Sequence, residues 1–362
     1  MKRGFDGNKL YDSIDLLENG PGRAEALFDA ITQADKAGDN YWRMFFRFEY
    51  ISEQYFHGEA VKCIPAVAEA EAVYKENPKA ISRYKGDTLC KEAYIMSVLL
   101  SVDTISCLPH IPVVQWQDML DNFYRLSKKS GMAERCYYWQ MFWHWRCIDF
   151  KKSEEYLKMA WNTKMDDRFG CAACEHAYAA GLYLEMGQKG MAYMYAGKLE
   201  KHIMNVSCDN ALPYLWAAYT KEALNRKAVS EALPFAKKLY KNCNKDKRDL
   251  EYIGIVLRCF AYGNINKALQ LFIKWHGCAA DIWNQRAKYY FYMGSWVLFR
   301  ELSKEHDTVN MKLIENQDFW KKDGRYKTKT LAEWFYKETS VIAESFDKRN
   351  GSNYYSAHLG LA

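Results

Sequence analysis

The chain has 362 residues and a net charge of +6, from 51 basic and 45 acidic side chains, with 49% hydrophobic and 16% aromatic residues. That is enough apolar material for two compact domains or one extended repeat array. The charges are mixed throughout rather than gathered into the patch or stripe that nucleic acid requires, so no nucleic-acid partner is expected.

Proline is scarce, at 7 residues, and few stretches alternate with period two, so the expected fold is all-α. Residues 1–22 read as an irregular lead-in closed by the turn signal Asn19-Gly20-Pro21-Gly22. A first helix, Arg23–Lys36, stops at Gly38-Asp39, and the aromatic-rich Tyr41–Phe56 follows. His57-Gly58 breaks that helix, and Glu59–Tyr74 is its partner, with Pro65 expected to kink or delay it. A helix over Tyr84–Ser106 pairs with Val114–Lys129 across the Leu108–Pro112 loop. This region holds the most apolar window, Ala93–Val114, but Asp103 within it would cost about 3 kcal/mol at a bilayer centre, so no membrane span is expected. Gly131 opens the pair Met132–Ile148 and Lys151–Asn162, with a turn at Asp149-Phe150. The next pairs are Gly170–Met186 with Lys189–Met204, then Ala211–Leu224 with Ala228–Lys241. Asp249–Tyr262 with Ile265–His276 is the clearest: Tyr252, Ile255, Leu257, Phe260, Leu269, Phe272 and Trp275 recur at three- and four-residue spacing. Ala279–Met293 with Ser295–His306 is expected around a turn at Gly294. Beyond it, Phe319–Tyr326 carries a tight-turn signal at Asp323-Gly324, and an amphipathic helix over Thr330–Lys348 ends at Asn350-Gly351, with Asn353-Tyr354-Tyr355 folding back.

The turns at Asp149, Gly187, Asn225, Gly263 and Gly294 recur roughly every 31–38 residues, a spacing that helix-hairpin arrays produce. The pattern resembles the tetratricopeptide repeat (TPR). Tyr252, Gly263, Ala268 and Phe272 stand where that family places an aromatic, the turn glycine, the small residue of the second helix and a core aromatic. Ala180, Tyr183, Gly187 and Ala192 match similarly, as do Trp283, Ala287, Tyr290 and Gly294, although Phe299 replaces the expected alanine. The Ala211–Lys241 pair fits through Trp216 or Ala232, depending on register. The resemblance implies a right-handed superhelical α-solenoid of roughly seven to eight antiparallel helix pairs, closed by a C-terminal capping helix. The expected division is a lead-in and first helix over 1–40, degenerate pairs over 41–131, TPR-like repeats over 132–306, and a turn and capping helix over 307–362.

Motifs for chemistry are sparse. Cys171-Ala-Ala-Cys174 is the one CxxC, and the sequence offers no second pair at a spacing suited to structural zinc, so the two thiols read as packing residues one helical turn apart. No P-loop, dinucleotide fingerprint, HExxH or nucleophile elbow is present, and carboxylate pairs such as Glu154-Glu155 and Asp166-Asp167 fall at helix starts or turns. The eleven cysteines are an odd number, and the segment from Met1 has no apolar signal region, which together suggest a reducing cytoplasmic setting. No catalytic residues, metal or cofactor are expected.

By the same resemblance, the first helix of each pair lines a concave groove that binds extended peptides or helices. The groove residues implied are Arg43, Arg47 and Tyr55 from the Tyr41 helix; Arg135, Tyr138, Phe142, Trp145 and Arg146 from the Met132 helix; and Asn284, Lys288, Phe291 and Tyr292 from the Ala279 helix. Arginine and aromatic side chains together are what binding hot spots favour. The carboxylate clamp of some family members needs lysine and asparagine on successive helices, and only Asn284 and Lys288 are in place. The function expected is therefore a non-enzymatic scaffold for a protein or peptide partner, able to dimerise through an uncapped solenoid end. The alternatives are a peptide-sensing regulator whose solenoid changes shape, or the accessory subunit of a separately encoded enzyme.

Overall fold

A computed structural model describes residues 5–76, 78–79, 81–83, 87–129, 134–165, 171–201, 208–243, 246–315 and 317–362. The helix ends expected at Tyr84, Met132, Gly170 and Met204, the opening at Gly131 and the Asp166-Asp167 pair lie outside these residues. The described chain is all-α apart from one short two-stranded ribbon. No helix among the described residues is long and apolar enough to cross a membrane. The chain divides into two compact units, Met1–Tyr137 and Tyr138–Ala362.

In the first unit the lead-in is not irregular. Asp6 caps a helix, α1 (Gly7–Asp15), by accepting the Lys9 amide at 3.1 Å, which satisfies a donor the first turn would otherwise leave open. Helix α2 (Pro21–Ala37) begins on Pro21, whose fixed φ and missing N–H suit a first helical position, and ends at Gly38 in the left-handed region. Asp39 then caps α3 (Asn40–His57) through the Tyr41 and Trp42 amides. A short 3₁₀ turn, Ala60–Lys62, precedes α4 (Cys63–Glu76), so the helix starts late and Pro65 falls in its first turn, where its missing N–H breaks no intrahelical bond. Helices α5 (Leu89–Ser106) and α6 (Val113–Lys129) complete the unit, whose core includes Phe46, Ile51, Ile95, Val102, Leu120 and Phe123. Helix α3 packs on α2, α4 and α5.

The boundary between the units falls in α7 (Glu134–Arg146). Then come α8 (Phe150–Asn162), capped by Asp149, α9 (Ala172–Glu185), α10 (Lys189–Glu200), α11 (Ala211–Asn225), α12 (Val229–Asn242), α13 (Leu250–Gly263) and α14 (Ile265–Asp281). Each of α9, α11 and α13 pairs with the helix that follows it, and α9 also packs on α11 and α11 on α13. This double layer buries Leu182, Tyr183, Leu215, Phe260, Ala268 and Phe272.

One expected hairpin is absent. Instead of turning at Gly294, the chain runs straight through it in a single helix, α15 (Gln285–Leu302), which Asn284 caps through the Ala287 amide. The missing side chain serves packing instead. A Cβ at Gly294 would stand 2.5 Å from the Gly254 carbonyl oxygen, and one at Gly254 would collide with the Tyr290–Phe291 backbone. Two facing glycines thus let α13 and α15 touch backbone to backbone. After α15, β1 (Thr308–Asn310) pairs antiparallel with β2 (Arg325–Lys327), Val309 opposite Tyr326. Gly324 at φ +67 bonds back to Lys321 O at 3.1 Å, forming the tight turn expected at Asp323-Gly324. Helix α16 (Thr328–Asn350) lays Phe335 against Phe272 and Phe299, and Gly351 in the left-handed region ends it. Helix α17 (Tyr354–Gly360) turns back, its first turn held by Asp347, which accepts the Tyr355 and Ser356 amides at 2.9 Å each.

Candidate functional site

The most concentrated polar chemistry of the second unit lies where α17 crosses the row of odd-numbered helices. Arg146, at the end of α7 and 3% exposed, needs a countercharge because an isolated buried guanidinium is prohibitively costly. Glu185, the last residue of α9, supplies it in a two-pronged pair, Nε to Oε2 at 2.8 Å and Nη2 to Oε1 at 2.7 Å. The remaining Arg146 Nη1 donates to the Tyr214 hydroxyl of α11. Lys221 stands 3.7 Å from Glu185, and Tyr354 of α17 donates its hydroxyl to the same carboxylate at 3.2 Å. Burial would raise the Glu185 pKa, but the Arg146 guanidinium and then the Lys221 ammonium override it and hold the carboxyl at about 2. The same pairing raises the pKa of Arg146 against the effect of its burial.

Further along, α13 and α15 hold the last residues by their main chain. Arg258 is 3% exposed and, among the described residues, no carboxylate pairs with it; burial lowers its pKa, and its guanidinium donates to Asn225 at 3.2 Å and to the Leu361 carbonyl at 3.0 Å. Tyr262, one turn on, donates to the Ala362 carbonyl at 2.6 Å, and Arg300 of α15 donates both to that oxygen at 3.0 Å and to the Tyr262 hydroxyl at 2.7 Å. Tyr289 donates to the Tyr355 carbonyl at 2.8 Å. Aromatic contacts complete the seat: Tyr355 stacks on Phe346 and meets Tyr289 edge-on, while Phe150 meets Tyr354 edge-on. Side-chain donors that grip carbonyl oxygens hold a segment largely without regard to its side chains; the aromatic contacts add shape.

Of the residues expected to line a groove, it is Arg146 that joins this network. Phe142 is fully buried against Trp139 and Trp143, while Tyr138 is half-buried beside Tyr156. Arg135 is half-buried on α7, and Trp145 carries the Lys152 ammonium 3.4 Å above its ring. Asn284 is spent as the cap of α15, and Lys288 donates to Ala280 O at 3.0 Å, burial lowering its pKa. Phe291 packs on Phe272, and Tyr292 lies between Trp334 and Phe335, both rings out of solvent. In the first unit Arg47 holds both oxygens of Asp35, at 2.9 and 2.8 Å, and Arg43 bridges Asp35 and Glu76 at 3.0 and 2.8 Å. Tyr55 donates to Asp103 at 2.5 Å. Sequence reasoning missed Glu185, Arg258, Tyr262, Tyr289 and Arg300; the one available signal was Arg258 and Tyr262 at i and i+4 on a single helix face.

A second cluster lies elsewhere in this unit. Cys171 and Cys174 open α9, and Cys208, 34 residues beyond Cys174, is brought within 3.2 Å of the Cys174 sulfur. With no second CxxC to mark it, Cys208 carries no local signal. No family model matches this chain, and no curated protein and no solved structure matches it.

Proposed function

We propose that this chain is a non-enzymatic binding scaffold, in which the helix pairs of residues 138–362 form a TPR-like right-handed solenoid whose concave face takes a segment of a protein or peptide partner. The pairing of α9 with α10, α11 with α12 and α13 with α14, together with the contact of α9 on α11 and α11 on α13, supports a repeat of this kind. The observation that carries the reading is the way α17 is held. Arg258, Tyr262, Tyr289 and Arg300, from two odd-numbered helices, donate to main-chain oxygens of α17 and of the two residues after it, which is the chemistry a peptide-binding face needs. The partner segment suited to it is a short helix with a pair of aromatic side chains, as Tyr354 and Tyr355 provide here.

The test is native mass spectrometry of the full chain isolated gently from its own source. A stoichiometric protein or peptide is expected on the wild-type chain and lost from the Arg258→Gln, Arg300→Gln double variant, with helix content by circular dichroism unchanged. A bare wild-type chain, or a partner indifferent to both substitutions, overturns the reading.

A further inference from the structure

Two groups of thiols contrast sharply. Cys63, Cys90 and Cys259 are buried singly, and burial pushes each up to about 12, as expected of inert core thiols. Cys171, Cys174 and Cys208 instead converge, their three sulfurs all lying within 4.8 Å of one another. Cys171 caps α9, its sulfur accepting the Cys174 amide at 3.4 Å. Cys208 lies just before α11. Its sulfur is hydrogen-bonded by the Asn210 and Ala211 backbone. Cys174 is buried, its thiol in hydrogen-bond contact with that of Cys208. The N-termini of α9 and α11 therefore meet at one small group of sulfurs.

We propose that Cys171, Cys174 and Cys208 form a three-thiolate site for a soft, thiophilic d¹⁰ metal ion, with a fourth position open to solvent. Tetrahedral thiolate coordination with metal–sulfur bonds near 2.3 Å sets the sulfurs about 3.8 Å apart, inside the range from 3.2 Å for Cys174–Cys208 to the 4.8 Å limit of the group. Cys174 is buried while Cys171 and Cys208 are partly exposed, so an ion seated on the three sulfurs reaches solvent on one side. The donor set is sulfur throughout, which selects against Mg²⁺ and Ca²⁺. His176 is turned to other partners, Nδ1 at 2.9 Å from Ala172 O and Nε2 at 3.4 Å from the Lys198 ammonium. Binding releases to solvent whatever protons the thiols still carry, so affinity rises with pH.

The experiment is a titration of the reduced, chelator-stripped full chain with Co²⁺, followed by Zn²⁺. Expected are a thiolate-to-cobalt charge-transfer band saturating at one ion per chain, its loss on adding Zn²⁺, and affinity weakened by roughly tenfold or more in Cys208→Ser but unchanged in Cys63→Ser. Alkylation mapped by peptide mass spectrometry reads the same site without a variant: Zn²⁺ should protect these three thiols together in the wild-type chain. The proposal is overturned if no band forms, if the band survives Cys208→Ser undiminished, if Zn²⁺ leaves the three thiols unprotected, or if anaerobically isolated protein is two hydrogens lighter and carries a Cys174–Cys208 disulfide.

Discussion

At the scale of single residues the decisive feature is a carboxylate that exists to neutralise one arginine. Arg146 was legible in the sequence as a cation amid aromatic residues, but Glu185 was not, because its partner lies 39 residues away and nothing local marks a helix-ending glutamate as buried. Replacing Glu185 by Gln keeps its shape and removes its charge, leaving Arg146 buried with hydroxyl and amide partners. Urea unfolding should show a loss of about 3–5 kcal/mol. Acid makes the same change reversibly. Glu185 has a folded pKa of about 2 against 4.5 for an ordinary glutamate, so its contribution is complete above pH 4.5 and drains away as pH falls from 4.5 toward 2. Urea midpoints across that window should be steep for the wild type and flatter for Glu185→Gln; equal slopes would mean that the pair does not titrate with folding.

Among the elements, the helices were legible because three- and four-residue apolar spacing is a direct image of a buried helix face. Glycine was not, because one residue type serves opposite purposes. At Gly187 and Gly324 it provides the positive φ of a turn, whereas at Gly294 it sits in mid-helix and lets α15 touch α13. Both uses make alanine destabilising, whereas a mid-helix glycine with open space around it does the opposite. Gly294→Ala forces a methyl group against the Gly254 carbonyl and should destabilise by about 1–3 kcal/mol, since backbone on both sides has little room to give. Gly197→Ala, in α10 with nothing within 4 Å of the added carbon, should stabilise by about 0.5–1 kcal/mol. Chemical denaturation of both variants beside the wild type decides this, and a stabilised Gly294→Ala would refute the close crossing. The fold-back at Asn353 was legible from Asn350-Gly351, but the cap that fixes it was not. Asp347→Ala removes both carboxylate contacts to α17 and should cost about 1 kcal/mol, with faster amide exchange concentrated in Tyr354–Gly360.

For the molecule as a whole, the sequence carried the all-α class and most helix boundaries, since those follow from composition and periodicity. It carried much less of the site, since Arg258, Tyr289 and Arg300 acquire their meaning from carbonyls of residues 62–103 positions away. The second unit also holds histidines that folding keeps neutral. Burial, reinforced by Arg349 and Lys152, lowers His144 to about 4, and burial lowers His276 and His358 as well. The unfolded chain therefore takes up protons that the folded chain refuses, and stability should fall as pH drops from 6.5 toward 4. His144 accounts for about 2–3 kcal/mol of that slope at one unit per 1.36 kcal/mol. His144→Gln should flatten it, as read by thermal unfolding from pH 7 to pH 4, and an unchanged slope would show that the ring is protonated in the fold.

The short link between α16 and α17 has a quantitative consequence. Residues 351–353 are all that separate the two helices, so the segment seated on Arg258, Tyr262 and Arg300 is tethered beside its own seat. A short tether sets an effective concentration on the order of millimolar or above. A partner segment arriving from solution therefore competes with a permanent resident, and its apparent affinity is the intrinsic one divided by the ratio of that concentration to the resident's own dissociation constant. Each tenfold tightening of the resident's grip beyond millimolar makes every competitor tenfold weaker, so substitutions within α17 itself, which leave Arg258 and Arg300 in place, raise the affinity of the face for anything else that fits it.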